Sequence, residues 1–137
     1  MRLQLAAVLA SVAGVAVSVY LTSVHYAGVP LACPATARIS CEAVLSSAYG
    51  VIAGTSIPTS AAGLVWFAVS ALLWTRPPSR LHMVWSALGL LTVLYLVFIE
   101  VVVLGAICVW CSLAHLLVLA IAVIAAARPP ARGAVPR

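Results

Sequence analysis

The sequence predicts an all-α membrane protein, a four-transmembrane-helix bundle with a long extracytoplasmic loop that contains a short helix between helices 1 and 2. Hydrophobic residues make up 66% of the 137-residue chain and charged residues only 7%, whereas soluble domains carry about 25% charged residues. The mean hydropathy is +1.25. A helix needs about 20 apolar residues to cross a bilayer. This length therefore allows four crossings, and we expect no second soluble domain.

Four apolar runs supply the predicted crossings. The first follows Arg2 and exceeds the apolar core of about 7–15 residues that is typical of a signal peptide, so we interpret it as a retained helix. Pro58 suits the start of the second crossing, because proline is favoured in the first helical turn. A tight basic turn separates the second crossing from the third. The crossings are predicted at about residues 3–26, 59–75, 81–103 and 107–127, within a single domain that spans residues 1–127.

Residues 28–58 form the predicted outer loop, the longest polar-leaning stretch of the chain. Pro30 and Pro34 favour turns in its first half. Ser40 has the character of a helix N-cap, with Glu42 in the first turn of the helix that follows. This short helix has an apolar side, so we expect it to lie against the membrane or the bundle.

The arginines predict the orientation of the chain in the membrane. With an even number of crossings, Arg38 alone lies on the outer side, and an excess of basic residues marks the cytoplasm. Both termini and the basic tail, residues 128–137, are therefore predicted to be cytoplasmic. The arginines do not form the dense patch that a nucleic-acid partner requires. The arginines on the cytoplasmic side are Arg2, Arg76, Arg80, Arg128, Arg132 and Arg137.

A Cys-x-x-Cys motif, Cys108 and Cys111, opens the last apolar run; we call it the helix pair. Residues three apart on a helix share a face, so the two thiols can cycle between dithiol and disulfide. If the helix begins near Ile107, its first turn favours a thiolate at Cys108. The alternatives are the packing of buried cysteines and a structural metal site completed by His115 and a loop cysteine.

Cys33 and Cys41, the loop pair, lie on the same predicted side as the helix pair. One interpretation is a static disulfide that staples the loop. The other is a shuttle that takes electrons from a soluble partner and passes them to the helix pair, since thiol–disulfide exchange proceeds through mixed disulfides. Disulfides persist on the non-cytoplasmic side of a membrane.

Electrons that reach Cys111 need an acceptor. Ser112 follows Cys111, so the haem-attachment motif is absent, and the chain has no dinucleotide-binding glycine fingerprint. A quinone in the bilayer is the remaining acceptor. Glu100 is a candidate because an intramembrane carboxylate is often functional, although it could also snorkel to the interface. Other polar residues that could hold the quinone oxygens are Ser46, Ser47, Thr59, Ser60 and His115.

The order of these cysteines and polar residues along the chain resembles that of the vitamin K epoxide reductase (VKOR) family, in its bacterial quinone-reductase branch. The matching features are the Cys33-x7-Cys41 spacing, the segment from Glu42 through Ser47 to Tyr49-Gly50, Gly63, and Cys108-x-x-Cys111. The resemblance implies that Cys33 exchanges with the redox partner and that Cys41 attacks Cys108. It also implies that Cys111 is the quinone-proximal thiolate and that Ser47 helps to bind the quinone.

The resemblance implies a membrane thiol:quinone oxidoreductase of the bacterial cytoplasmic (inner) membrane that supports disulfide-bond formation. Its cofactor would be menaquinone or ubiquinone. Many bacterial members carry a fused thioredoxin-like domain that this chain lacks, so a separate DsbA-like thioredoxin-fold partner is expected. Vertebrate members carry asparagine at the position of Thr59 and tyrosine at the position of His115, and these differences favour quinone over vitamin K epoxide.

Three other classes compete with this prediction. DsbB-like proteins catalyse the same overall reaction, but they place the Cys-x-x-Cys motif in the first outward loop, the reverse of the order found here. A metal-binding or metal-transporting membrane protein would use the same cysteines as ligands. A structural four-helix protein would use them only to staple its loops.

Overall fold

The computed structural model describes residues 1–128; the predicted tail beyond Arg128, with Arg132 and Arg137, lies outside the described residues. Within residues 1–128 the regular elements are helices, as predicted. They are α1 (Arg2–Ala27), α2 (Cys41–Leu45), α3 (Thr59–Leu73), α4 (Arg80–Phe98), a π-helix (Ile99–Leu104) that continues α4, and α5 (Val109–Ala127).

Three helical segments are long and apolar enough to cross a membrane: Arg2–Ala27, Arg80–Leu104 and Val109–Ala127. The predicted all-helical fold is thus confirmed for residues 1–128, and the length and composition of these segments indicate a membrane protein. The remaining apolar helix, α3, has 15 residues, fewer than the about 20 that span a bilayer. A second crossing at residues 59–75 therefore stays a prediction.

Helix α1 organises the packing. It lies against α3 and against α5, α4 packs on α5, and the backbones of α3 and α4 approach each other at only a few positions. Phe67, Trp74 and Ile121 are almost completely buried in the core. The Phe67 ring packs directly against the backbone at Gly14, because a Cβ at Gly14 would overlap that ring.

The Gly14→Ala substitution is expected to destabilise the protein by about 1–3 kcal/mol, because the added methyl forces the Phe67 ring out of a packed position. Thermal unfolding in detergent measures the change. Gly63→Ala is the matched control: its Cβ would have the Ser18 hydroxyl as its nearest neighbour, at 3.3 Å. Equal stability of the two variants would contradict this account of the α1–α3 contact.

At one end of the molecule, side chains form hydrogen bonds with backbone groups at the ends of the helices. The Gln4 side chain of α1 donates to the Trp74 carbonyl at 2.8 Å, which ties the start of α1 to the end of α3. The His82 ring accepts from the Ser79 N–H at 3.2 Å and donates to the Leu73 carbonyl at 2.9 Å. These bonds connect α1, α3 and α4 at the predicted basic turn.

At the opposite end, the chain between α4 and α5 pairs with the long loop. The π-helix ends at Gly105, whose φ of 62° is a left-handed conformation that glycine adopts readily. The Ile107 N–H then donates to the Arg38 carbonyl at 2.8 Å, and the Ser40 N–H donates to the Ile107 carbonyl at 3.1 Å. This parallel bridge between residues 39 and 107 fixes the loop against the start of α5.

Candidate functional site

All four cysteines lie at this loop-bearing end. Cys33 and Cys41 form a disulfide with a Cα–Cα separation of 6.1 Å, whereas Cys108 and Cys111 are free thiols. Cys41 is 1% exposed, Cys108 is fully buried, and both belong to one packed cluster with Cys33 and Cys111 at its edge. The structure therefore brings an oxidised pair against a reduced pair.

Ser40 explains how Cys41 is held beside Cys108. Its hydroxyl accepts from the Ala43 N–H at 3.3 Å and so caps α2, as the sequence predicted. Its backbone N–H is the group that donates to Ile107, the residue before Cys108. Because one residue both begins α2 and pairs with the α5 approach, the first residue of α2, Cys41, lies next to Cys108.

Trp110 ties the first part of the loop to the helices. Its Nε1–H donates to the Ala32 carbonyl at 2.9 Å, one residue before Cys33. The same indole lies against the Tyr20 ring of α1, with a centroid separation of 4.8 Å. The loop pair is thus anchored near Cys33 by a side chain and near Cys41 by the backbone.

The Trp110→Phe substitution removes the indole donor and keeps an aromatic ring against Tyr20. Loss of one hydrogen bond costs about 1 kcal/mol, so amide hydrogen exchange in residues 31–40 is expected to become about fivefold faster. Mass spectrometry of proteolytic fragments measures the exchange. Trp85→Phe, which removes a donor to Ser70 within the helices, should leave exchange in the loop unchanged, and equal rates in both variants would argue against the tether.

Cys108 is the N-cap of α5, which begins at Val109; the prediction of a start near Ile107 was early by two residues. The Cys108 sulfur accepts from the Cys111 backbone N–H at 3.3 Å. A hydrogen bond from the Cys111 thiol, reinforced by the Cys111 and Trp110 backbone N–H groups, holds the pKa of Cys108 below its ordinary value despite burial. These hydrogen bonds favour the thiolate form at Cys108.

A cavity of about 290 Å³ opens beside the helix pair, with walls that are mostly apolar. Its volume is near the lower end of the range for ligand sites, about 300–1,000 Å³. It extends from the outer loop to the middle of the helices, and we call it the central cavity. Five predicted site residues line it: Thr59, Ser60, Glu100, Cys111 and His115.

The structure fixes the surroundings of the polar candidates in the cavity. The Thr59 hydroxyl donates to the Tyr49 carbonyl at 3.0 Å, and the Ser60 hydroxyl lies 2.9 Å from the Thr22 hydroxyl. Glu100 is 5% exposed and accepts from the Cys108 backbone N–H at 3.2 Å. The alternative that Glu100 snorkels to the interface is therefore wrong, because its carboxyl is buried against the helix pair.

Ser46 and Ser47 lie outside the central cavity, in a second groove formed by the end of α1 and by α2. The Ser46 hydroxyl donates to the Glu42 carbonyl at 2.7 Å and the Ser47 hydroxyl donates to the Val44 carbonyl at 2.7 Å. Both serines thus satisfy the end of α2, a local use that short polar side chains favour.

The sequence reasoning did not identify three cavity-lining side chains, His25, Tyr49 and Trp66, as site residues. A signal for His25 was available in the sequence. Ser18, Thr22 and His25 recur at helical spacing and form a polar stripe on an otherwise apolar helix. Trp66 offered no such signal, since a tryptophan in an apolar helix fits packing equally well.

Within residues 1–128, no group of three or more His, Cys, Asp or Glu side chains is arranged to hold a metal ion. The metal hypothesis required a thiolate from the loop, and in this structure both loop sulfurs belong to the disulfide. The arrangement fits thiol–disulfide chemistry, in which one disulfide and one dithiol lie in contact.

Comparison with known proteins identifies the family. No curated protein matches the chain. The sequence model of the vitamin K epoxide reductase family matches residues 5–126, which include all four cysteines and every residue of the central cavity. Proteins of this family are oxidoreductases that in general use quinones and work with thioredoxin-like partners. The chain is a membrane protein of the vitamin K epoxide reductase family.

Proposed function

We propose that this protein is a membrane thiol:quinone oxidoreductase that reoxidises a DsbA-like thioredoxin-fold partner and so supports disulfide-bond formation. One observation carries the proposal. The loop disulfide is docked by the backbone bridge at Ile107 against the buried sulfur of Cys108, and the other thiol of that pair, Cys111, opens into an apolar cavity. The helix pair therefore lies between the loop disulfide and the cavity.

The first half of the reaction moves electrons inward. A thiolate of the partner attacks Cys33, the more exposed sulfur of the loop disulfide, and the partner leaves oxidised with the loop pair reduced. Cys41 then attacks Cys108 of an oxidised helix pair and forms a mixed disulfide. Cys33 attacks Cys41, which restores the loop disulfide and leaves Cys108 and Cys111 reduced.

The second half moves electrons to the quinone. The helix pair forms its disulfide and supplies two electrons, and the quinone takes these and two protons to become a quinol. Cys111 is the thiol that faces the quinone, since it lines the central cavity. Thr59, Glu100 and His115 are the polar side chains that hold the quinone oxygens.

Ser47 supports the cavity through its neighbour. Its hydroxyl oxygen accepts from the Tyr49 backbone N–H at 3.3 Å, and Tyr49 lines the cavity. In this proposal Ser47 is therefore a positioning residue for the quinone site.

The quinone reaches the cavity from the bilayer through the seam between α3 and α4. The backbones of these two helices approach each other at only a few positions, and Trp66 of α3 and Thr92, Val93 and Leu96 of α4 line the cavity along this seam. At Gly89 the Trp66 ring packs directly against α4, because a Cβ there would overlap that ring. An isoprenoid chain, which is apolar, matches these walls.

The orientation follows the arginines. Gln4 contacts the carbonyls of Trp74 and Arg76, so Arg2 and Arg76 lie at one end of the molecule and the cysteines at the other. An excess of basic residues marks the cytoplasmic side. The cysteine-bearing end therefore faces away from the cytoplasm of a bacterial inner membrane, where disulfides persist.

The experiment is quinone reduction by the purified protein, with a reduced thioredoxin-fold protein as electron donor and menaquinone or ubiquinone as acceptor. Catalytic quinol formation is expected, and protein whose thiols were alkylated after reduction is the inactive control. If neither quinone is reduced and zinc or copper co-purifies in a one-to-one ratio with reduced cysteines, the oxidoreductase proposal fails and metal binding replaces it.

A further inference from the structure

Glu100 occupies an unusual position at the turn between α4 and α5. It is one of only two acidic side chains in the chain, the other being the exposed Glu42. Its carbonyl accepts from the N–H groups of Gly105 and Ala106, within the wide turn of the π-helix. Its carboxyl accepts from the Cys108 N–H at 3.2 Å. The backbone therefore fixes this carboxyl between the helix pair and the central cavity.

The carboxyl and the Cys108 sulfur share one source of stabilisation for negative charge. Both accept hydrogen bonds from backbone N–H groups at the N-terminus of α5, the Glu100 carboxyl from Cys108 and the Cys108 sulfur from Cys111. Such a terminus stabilises an anion. The partner of the carboxyl in the described part of the chain is an N–H group and not a cation, so two adjacent anions would be costly in this buried site.

The two groups therefore oppose each other's ionisation. A negative charge on Glu100 raises the pKa of Cys108 and works against the hydrogen bonds that lower it. The other titratable side chains around the cavity are His25, Tyr49, Cys111 and His115, and none of them is a carboxylate. When Cys108 is a thiolate, the neutral, protonated form of the Glu100 carboxyl is therefore favoured.

We propose that Glu100 is the proton-transfer group of the helix pair, which takes up a proton when the pair is reduced and delivers it to a quinone oxygen in the central cavity. This inference rests on the proposed quinone reduction and extends it with a route for one of the two protons. The hydrogen bond from the Cys108 backbone N–H holds the carboxyl beside the helix pair, and Glu100 also lines the central cavity, so it lies between the donor and the acceptor of the proton.

The step balances in atoms and electrons. Before it, Cys108 is a thiolate, Cys111 a thiol and Glu100 a neutral carboxyl. The Cys108–Cys111 bond forms, two electrons pass to the quinone, and one proton comes from the Cys111 thiol and one from the Glu100 carboxyl. The products are a disulfide, a quinol and a Glu100 carboxylate, with the same net charge of minus one.

The return step balances as well. The loop dithiol gives two electrons and two protons as it closes to the Cys33–Cys41 disulfide. Cys111 regains one proton and Glu100 the other, while Cys108 returns as a thiolate. The site thus keeps one negative charge throughout, on Glu100 when the helix pair is oxidised and on Cys108 when it is reduced.

Infrared difference spectroscopy tests this directly, because a neutral carboxyl has a C=O band that a carboxylate lacks. The full-length protein in detergent is compared at neutral pH in its fully oxidised state and after reduction with dithiothreitol, with no quinone present. The wild type is expected to gain a neutral-carboxyl band on reduction. Glu42→Gln should keep this gain and Glu100→Gln should lose it, which assigns the band to Glu100.

A wild-type spectrum in which the carboxyl band is unchanged between the two states would overturn the proposal. This holds even if Glu100→Gln does not fold, since the wild type and Glu42→Gln alone assign the band. Because no quinone takes part, the result is independent of whether the protein reduces quinones.

The matching kinetic result concerns Glu100→Gln. Glutamine keeps an oxygen that accepts the Cys108 N–H but cannot release a proton to the quinone. Proton transfer by a positioned side chain contributes about 100-fold or more, so the quinone reduction rate should fall by about that factor. A merely structural role for the hydrogen bond predicts instead an unchanged rate in this variant.

Discussion

Cys111→Ala is expected to abolish quinone reduction, with a loss of about 10⁴-fold or more, as seen when a group that takes part directly in bond making is removed. The reason is that Cys108 then has no partner with which to form a disulfide, so two electrons cannot leave the site together. Quinol formation with dithiothreitol as donor measures the effect. This donor bypasses the protein partner and isolates the quinone half of the reaction.

Ser112→Ala is the control for this prediction. Ser112 is the next residue of α5, it is half-buried as Cys111 is, and it does not line the central cavity. It should reduce quinone at the wild-type rate. Substantial turnover by Cys111→Ala would contradict the assignment of the helix pair as the electron donor to the quinone.

Cys33→Ala is expected to lose activity with a protein electron donor and to keep activity with a small-molecule donor. With a reduced thioredoxin-fold protein the activity should fall to background, because Cys41 is 1% exposed and no accessible loop sulfur remains. With dithiothreitol, a small molecule that can reduce the helix pair directly, activity should remain within a few-fold of wild type. Parallel quinol assays with the two donors give the comparison.

Ala35→Ser provides the matched control, since Ala35 is an exposed residue of the same loop. It should retain activity with both donors. If Cys33→Ala retained full activity with the protein donor, the loop disulfide would be a static staple. If it lost activity with both donors, the loop would instead be needed to hold the helix pair.

The sequence was sufficient for features that depend on local pattern. Apolar runs predicted membrane helices at α1, α4 and α5, and the structure confirms three segments long enough to cross. Ser40 was correctly predicted as an N-cap, because capping depends on a residue and its next three neighbours. The loop-pair spacing and the Cys-x-x-Cys motif indicated redox chemistry for the same reason: both are short-range patterns.

Features that depend on contacts between distant segments could not be predicted from pattern. The bridge between residues 39 and 107 and the bond from Trp110 to Ala32 join segments 68 and 78 residues apart, respectively. Glu100 lies in the π-helix that continues α4 and is buried there, whereas hydropathy alone placed this residue equally well at the interface. Ser47 was predicted to bind the quinone, but its hydroxyl donates to the nearby Val44 carbonyl and lies outside the central cavity.

In the proposed reaction, electrons pass from the loop pair through the helix pair to the quinone. The most direct measurement of this order is a single turnover in which fully reduced protein is mixed with quinone. Samples are quenched with acid at intervals and alkylated, and mass spectrometry determines whether each cysteine is a thiol or part of a disulfide. We predict that Cys108 and Cys111 lose their thiols first and that the Cys33–Cys41 disulfide forms afterwards, with Cys111→Ala retaining all of its thiols. Oxidation of the loop pair before the helix pair, or in Cys111→Ala, would contradict the account.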